Sequence, residues 1–241
     1  MKLTFAGTRG FIEARTRRHA MHTALDVAYR KKRVRIDCGA DWRGRVKSLA
    51  AAAIVITHGH PDHVGGLRDG AGCPVYATGE SWEVMRGYPI EDRRRVTPRE
   101  PFTVGGIRFE AFPVIHSTRA PAVGYRIGAG RVTVFYASDL VYIDDRAAAL
   151  SGVKLYIGDG ATVSRSFVRK IGGALVGHAP VGTQLTWCRK EGVPRAVISH
   201  CGSEIVAGDE RTLRADIRRM AAERGLKEAL IAHDGMELVL R

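Results

Sequence analysis

The sequence predicts an α/β (α+β) protein in which two packed sheets are flanked by helices. Two observations predict it. Strand-like runs joined by short turns fill the first half, and from residue 154 onward strands alternate with helical stretches. The 241 residues suffice to bury a full core and fit one domain over 1–241, without a linker, low-complexity segment or short-period repeat. A hydrophobic content of 45% and a charged content of 26% place the chain among ordinary folded proteins.

The first strand is "KLTFAG" (2–7). "TALDVAY" (23–29) and "RVRIDCG" (33–39) follow, and the turn between them carries the basic run "RKKR" (30–33). "LAAAIVI" (49–55), running on to Ile56, is an unbroken apolar run of the kind a buried strand shows. "CPVYAT" (73–78) is another strand, and a short helix is expected around "ESWEVMRG". "FTVGGIRFEAFPVIH" (102–116) reads as a hairpin turning at Gly105-Gly106, and "AVGYRIG" (122–128) with "VTVFYASD" (132–139) as a second. "KLYIGDG" (154–160) and "RAVISHCG" (195–202) are strands, with the helix "VGTQLTWCRKEG" (181–192) between them. "DERTLRADIRRMAAERG" (209–225) has amphipathic helical periodicity, with Asp209 as N-cap and Gly225 as stop. Its Leu213, Ile217 and Met220 face inward and Arg211, Arg214 and Arg218 outward. "ALIAHDGMELVL" (229–240) closes as a hairpin around Asp234-Gly235.

The chemistry concentrates in "THGHPDHVGG" (57–66), which sets His58, His60, Asp62 and His63 within six positions. The stretch begins where the buried strand ends, and Pro61 and Gly65-Gly66 punctuate it at the start of a short helix. Imidazoles and a carboxylate are costly to bury without partners, and a surface loop has no need of such density. His58 and His60 alternate as in an extended segment and so point to one side. Asp62 and His63, being adjacent, are expected to diverge, so one loop offers ligands to two neighbouring ions. Imidazole with carboxylate suits zinc, manganese or iron. His116, Asp139 and His200 each end a separate apolar strand, at "FPVIH", "FYASD" and "AVISH", which is how a fold collects a site on one rim. With residues 58–63 they complete a set for two divalent metal ions. Asp37, ending "RVRID", is placed to orient the histidine loop from behind.

The net charge of +13 is uneven, since residues 1–50 hold thirteen Lys or Arg and four Asp or Glu, a net of +9. Such asymmetry suggests an anionic partner, nucleic acid first, though a solubilising surface gives the same count. His19 and His22 lie among Arg15, Arg17 and Arg18 in a segment expected to loop towards the site, as a phosphate-binding wall or as a solvated loop. Cys38, Cys73, Cys188 and Cys201 form no CxxC pair, which argues against a zinc ribbon or a disulfide framework and for free buried thiols. No secretory leader or membrane-length apolar run is seen, so a cytoplasmic protein without a membrane partner is expected. The chain has no asparagine and one glutamine, Gln184; depletion of thermolabile amides fits a thermophilic protein, and GC-rich coding would give the same bias.

Strand, then "HGHPDH", then a histidine, an aspartate and a histidine at successive strand ends, resembles the metallo-β-lactamase superfamily over nearly the whole chain. The resemblance implies an αββα sandwich of two packed mixed sheets flanked by helices. It implies that His58, His60 and His116 hold one metal and Asp62, His63 and His200 the other, with Asp139 bridging. Zinc is the metal it favours, with Mn or Fe as alternatives. Within the superfamily the chain is most similar to the ribonuclease Z and phosphodiesterase branch. "GHAPVGTQLTWCRKEGVPRAVISHCG" (177–202) resembles that branch's run into its last metal-ligand histidine. "AHDGMELVL" (232–240) resembles its closing hairpin, "GTRGF" (7–11) its opening loop and "IDCG" (36–39) its Asp-Cys-Gly. Only 22 residues separate His116 from Asp139, too few for the tRNA-gripping arm, and no cap-sized insertion lies between Asp139 and His200.

The function so implied is a dinuclear metal-dependent hydrolase of phosphodiester bonds, a nuclease or phosphodiesterase, acting on RNA or DNA and assembled as a homodimer. Asp62 would orient the attacking water, and His178 would contact the scissile phosphate or protonate the leaving oxygen. Arg15, Arg17, Arg18 and His19 would bind substrate. The alternative is a thioester or lactone hydrolase on the same fold, since fold does not fix substrate. A binding module with structural metal is a third class, against which two ions with open positions argue.

Overall fold

Leu3 and Phe5 alternate inward along β1 (Lys2–Gly7), which sets its register against β2 (Ala24–Tyr29) in the computed structural model, which describes residues 1–241. The chain folds back onto β3 (Lys32–Ile36) through Arg30 and Lys31, both at positive φ, so the basic turn forms without a glycine. β4 (Ala53–Val55), β5 (Val75–Ala77) and β6 (Arg93–Arg95) add in parallel beyond β3. The run 49–56 therefore yields three residues of strand rather than seven, although Ile54, Val55 and Ile56 are all fully buried. The short helices α1 (Pro61–Val64) and α2 (Gly79–Val84) fall where expected, α2 capped by the Thr78 hydroxyl.

The second sheet opens with β7 (Phe102–Val104) and β8 (Ile107–Ile115), turning at Gly105-Gly106, followed by β9 (Ala122–Ala129) and β10 (Val132–Tyr136). β11 (Tyr142–Ile143) returns to β8, and α3 (Arg146–Leu150) leads into β12 (Leu155–Asp159), parallel to β10. β13 (Arg169–Ile171) and β14 (Ala174–Val176) then form a separate hairpin that the strand patterning did not predict. The chain ends with α4 (Val181–Lys190), β15 (Arg195–Ser199), α5 (Ser203–Val206), α6 (Glu210–Glu223), β16 (Glu228–Ile231) and β17 (Met236–Val239). Asp209 caps α6 through Thr212 N–H, and Ile217 is its fully buried residue.

The strands lie in the order β17-β1-β2-β3-β4-β5-β6 in one sheet and β11-β8-β9-β10-β12-β15-β16 in the other, with β7 against β8. The closing hairpin is thus corrected: β16 and β17 belong to different sheets, β16 parallel to β15 and β17 antiparallel to β1. The reason is Asp234, whose carboxylate accepts hydrogen bonds from Ala20 N, Met21 N and the Thr8 hydroxyl. That pins residues 232–235 as a corner between sheets rather than a free two-residue turn.

One apolar core joins the facing sides of the two sheets, with Phe5, Val27 and Val34 from one and Phe109, Tyr125 and Ile157 from the other. A second packs α3, α4 and α6 on the outer face of the second sheet, and a third packs the α1 and α2 segments on the outer face of the first. The layers are helix, sheet, sheet, helix. Three of the four cysteines are buried and none is bridged. No helix is long and apolar enough to cross a membrane.

Candidate metal centre

The strands of both sheets end at one rim, and the polar groups follow their last residues. Ile36 ends β3 and Asp37 turns away from it at φ 62°; Ser199 ends β15 and His200 turns away at φ 51°. A left-handed backbone on a residue with a Cβ costs about 1–3 kcal/mol and persists only where its surroundings enforce it. Both side chains are almost fully buried and bonded on the inside of the turn. A Cβ on Gly10 would come within 3.0 Å of the His200 ring, and one on Gly39 within 2.0 Å of Asp62 O, so the two glycine loops lie directly against the cluster.

Three imidazoles converge first. His60 Nδ1 lies 3.0 Å from His58 Nε2 and 3.3 Å from His116 Nε2. His116 Nδ1 donates to Gly177 O at 3.0 Å, which leaves Nε2 unprotonated towards the others. Burial first, and then neighbouring imidazoles, hold His58 well below the ordinary histidine value and also depress His60; burial likewise depresses His116. They are neutral lone-pair donors.

The second set is carboxylate-rich. Asp62 Oδ2 lies 3.2 Å from His63 Nε2 and 3.1 Å from His200 Nε2. Asp62 and His63 therefore converge, contrary to the expectation that neighbours diverge, because both side chains are drawn into one buried space at the start of α1. Asp139 lies between the sets, with Oδ2 3.0 Å from His63 Nε2 and 3.3 Å from His200 Nε2, and Oδ1 3.6 Å from His116 Nε2. Burial opposes the charges of Asp62 and Asp139, but the surrounding histidines outweigh it and hold both well below the usual carboxylate range.

Asp37 accepts from Thr57 N at 2.9 Å, from the Thr57 hydroxyl at 2.8 Å and from His63 Nδ1 at 2.9 Å. Each oxygen is engaged, so the histidine loop and the ring of His63 are fixed from behind. Asp159, the last residue of β12 and fully buried, does the same on the other side. It accepts from His178 Nδ1 at 2.7 Å and from His200 Nδ1 at 3.3 Å. Gln184 locks Asp159 in turn, donating to its carbonyl and to Ala179 O and accepting from Asp159 N and the Tyr156 hydroxyl. The one glutamine of the chain thus has all its hydrogen-bonding capacity used.

These donor sets fit metal ions. His63 Nε2 and Asp139 Oδ2 are buried and, although 3.0 Å apart, form no aligned hydrogen bond with each other or with any other group, an expensive state for a protein group. Imidazoles beside ionised carboxylates at these separations are the donor chemistry divalent cations take.

A cavity of about 560 Å3 opens over the cluster, lined by His60, Asp62, His116, Asp139, His178 and His200, with Phe11, Arg165, Phe167 and Glu204 at its mouth. With its Nδ1 bound to Asp159, His178 has Nε2 as its free ring atom, at the edge of this cavity. Burial opposes its charge, but Asp159 and Asp139 outweigh it and raise its pKa above the ordinary value.

Arg15, Arg17, Arg18 and His19, expected to wall the site, lie elsewhere. Arg15 pairs with Asp41 at 2.9 Å and Arg18 with Glu210 at 3.1 Å, while His19 is buried 2.8 Å from the Thr8 hydroxyl. Asp234, holding Ala20 and Met21, draws the segment to the corner beneath α6, where Arg17, Arg18 and His19 line a separate cavity of about 240 Å3. The sequence reading missed Asp159, although it ends an apolar strand as Asp139 and His200 do, so the same rule would have found it. Gln184 and Phe167 carried no comparable signal.

Residues 32–201 match the family model of the beta-lactamase superfamily domain. Among curated proteins, 121 residues are 32% identical to an octanoyltransferase of Porphyromonas gingivalis, covering 40% of this chain and 24% of that one. Another 28% identity extends over 138 residues of the exodeoxyribonuclease WalJ of Streptococcus pneumoniae, covering 50% of this chain and 51% of that one. The chain therefore spans only about a quarter and about half the length of these relatives. In structure it is similar to the metallo-beta-lactamase fold protein YhfI from Bacillus subtilis (TM-score 0.77, 18% identity, 98% of both chains). A diphosphatase from the PhnP family (TM-score 0.72, 19% identity, 100% of this chain and 98% of that one) and the short form of human tRNase Z (TM-score 0.68, 16% identity, 100% of both) share the fold as well.

Proposed function

The chain belongs to the beta-lactamase superfamily of metal-dependent hydrolases, and on that premise we propose that it cleaves phosphodiester bonds in nucleic acid with two divalent ions, zinc by donor type. The observation that carries this reading is the pair of donor sets meeting at Asp139 with His178 held beside them by Asp159. His58, His60 and His116 would hold one ion and Asp62, His63 and His200 the other, with Asp139 between. Such ions, when bound, polarise the phosphodiester and bring the ionisation of water to near neutral pH.

The chain's own residues do the rest. Asp62, ionised and lining the cavity, accepts a hydrogen bond from the attacking water and aims it. His178 keeps Nδ1–H on Asp159 and offers a proton from Nε2 to the departing oxygen. An alkoxide leaving group needs that proton and a thiolate does not, which favours a phosphodiester over a thioester. The named activities of the relatives, an exodeoxyribonuclease and a tRNase Z, support the same reading. The metal-loaded protein should turn over bis(p-nitrophenyl) phosphate and leave a thioester and a lactone intact. Hydrolysis of the thioester or lactone alone would overturn the proposal.

A further inference from the structure

The metal cluster sits at the junction of two cavities, not at the bottom of one. The cavity of about 560 Å3 already described and a second of about 760 Å3 share His60, His116, Phe167 and His178 as their common wall. The second is lined by Ser117, Thr118 and Arg119, which follow β8, by Ser166, which precedes β13, and by Arg169 and Ile171 of β13. A substrate centred on the cluster therefore has room in both directions.

Three arginines stand around this double cavity. Arg119 and Arg169 on the second side and Arg165 on the first are exposed and make no ion pair with any carboxylate. Phe167, on the wall the two cavities share, leaves 43% of its surface exposed. A guanidinium fork fits a phosphate, and an aromatic face on a loop beside it fits a nucleobase.

From this we infer that a single nucleic-acid strand crosses the cluster and occupies both cavities. The scissile phosphate lies at the His/Asp cluster, the next two phosphates along the strand on Arg119 and Arg169, one each, and a base against Phe167. The inference rests on the phosphodiesterase reading but makes a separate claim, that the substrate extends on both sides of the bond that breaks. A small diester would fill one side only.

The experiment compares the metal-loaded wild type with Arg119→Ala/Arg169→Ala and with Phe167→Ala. Each is given bis(p-nitrophenyl) phosphate and a single-stranded oligonucleotide of about ten residues, and fluorescent-oligonucleotide binding is titrated at several salt concentrations. In the double variant KM for the oligonucleotide should rise about tenfold more than KM for the small diester, and the log–log salt slope of binding should flatten by about 1.4, two single-strand phosphates. Phe167→Ala should weaken oligonucleotide binding by about tenfold at every salt concentration without changing that slope, as lost stacking does. If the wild type cleaves the small diester while the double variant treats both substrates alike and keeps its salt slope, the two-sided groove is wrong and the phosphodiesterase reading stands. If the wild type cleaves neither substrate, both fail.

Discussion

Two basic regions flank this fold, and their arginines are employed differently. In the N-terminal region Arg9, 1% exposed, is held by Asp41, which also takes Arg15 and His22, while Arg18 reaches Glu210 and Arg33 comes within 3.8 Å of Asp26. The "RKKR" turn stands at the opposite end of β3 from Asp37, about 17 Å from it for a five-residue strand, so it cannot reach the cluster. At the rim of the site Arg119, Arg165 and Arg169 have no carboxylate partner and line the cavities. The region with the greater net charge spends several of its cations on carboxylates, and the sparser one keeps its charge free. Charge counted along a chain therefore does not say where a polyanion binds; what matters is which charges the fold leaves unneutralised.

The contrast has meaning only if chemistry occurs between the two regions, and the largest effect tests that. Asp139→Ala should lower the metal content from about two ions per chain and cut turnover on the order of a thousandfold or more, because one residue faces both donor sets. Elemental analysis checks it, and an unchanged metal content would remove Asp139 from between the sets. The structural use of the N-terminal cations comes next. Asp41→Asn leaves the buried Arg9 without its carboxylate and should cost about 3 kcal/mol of folding stability. Arg119→Ala and Arg169→Ala, read by the same denaturant midpoints, should each cost no more than about 0.5 kcal/mol. Equal costs would erase the distinction between the regions.

His178→Ala should slow cleavage of a nucleotide diester by about a hundredfold and leave the metal content intact. With a nitrophenyl leaving group, which departs without a proton, the loss should be under about tenfold. Equal losses on the two substrates would make His178 a positioning group rather than a proton donor. The smallest effect bears on the comparison most directly. Replacing Arg15, Arg17 and Arg18 together by alanine should change the salt slope of oligonucleotide binding by less than one single-strand phosphate, about 0.7. A larger change would return the phosphate contacts to the N-terminal segment, against the ion pairs found there.

The sequence by itself determined the elements that local chemistry dictates. The "HGHPDH" stretch after a buried run, and polar residues ending separate apolar strands, are written in neighbouring positions, so His58, His60, Asp62, His63, His116, Asp139 and His200 were legible as one set. The helix over 210–223 with its Asp209 cap and the hairpins turning at Arg30-Lys31 and Gly105-Gly106 were legible for the same reason. Tertiary structure alone decided what depends on residues distant in sequence. Asp234 binds backbone donors more than 210 residues away, which turned the expected closing hairpin into a crossing between sheets and drew Arg17, Arg18 and His19 away from the cluster. Gln184 fixes Asp159, and through it His178 and His200, across gaps that no periodicity records. Local patterns report which face of an element is apolar. Which side chain meets which, and which charge is left free, depends on how the two sheets pack, and that packing is a property of the whole chain.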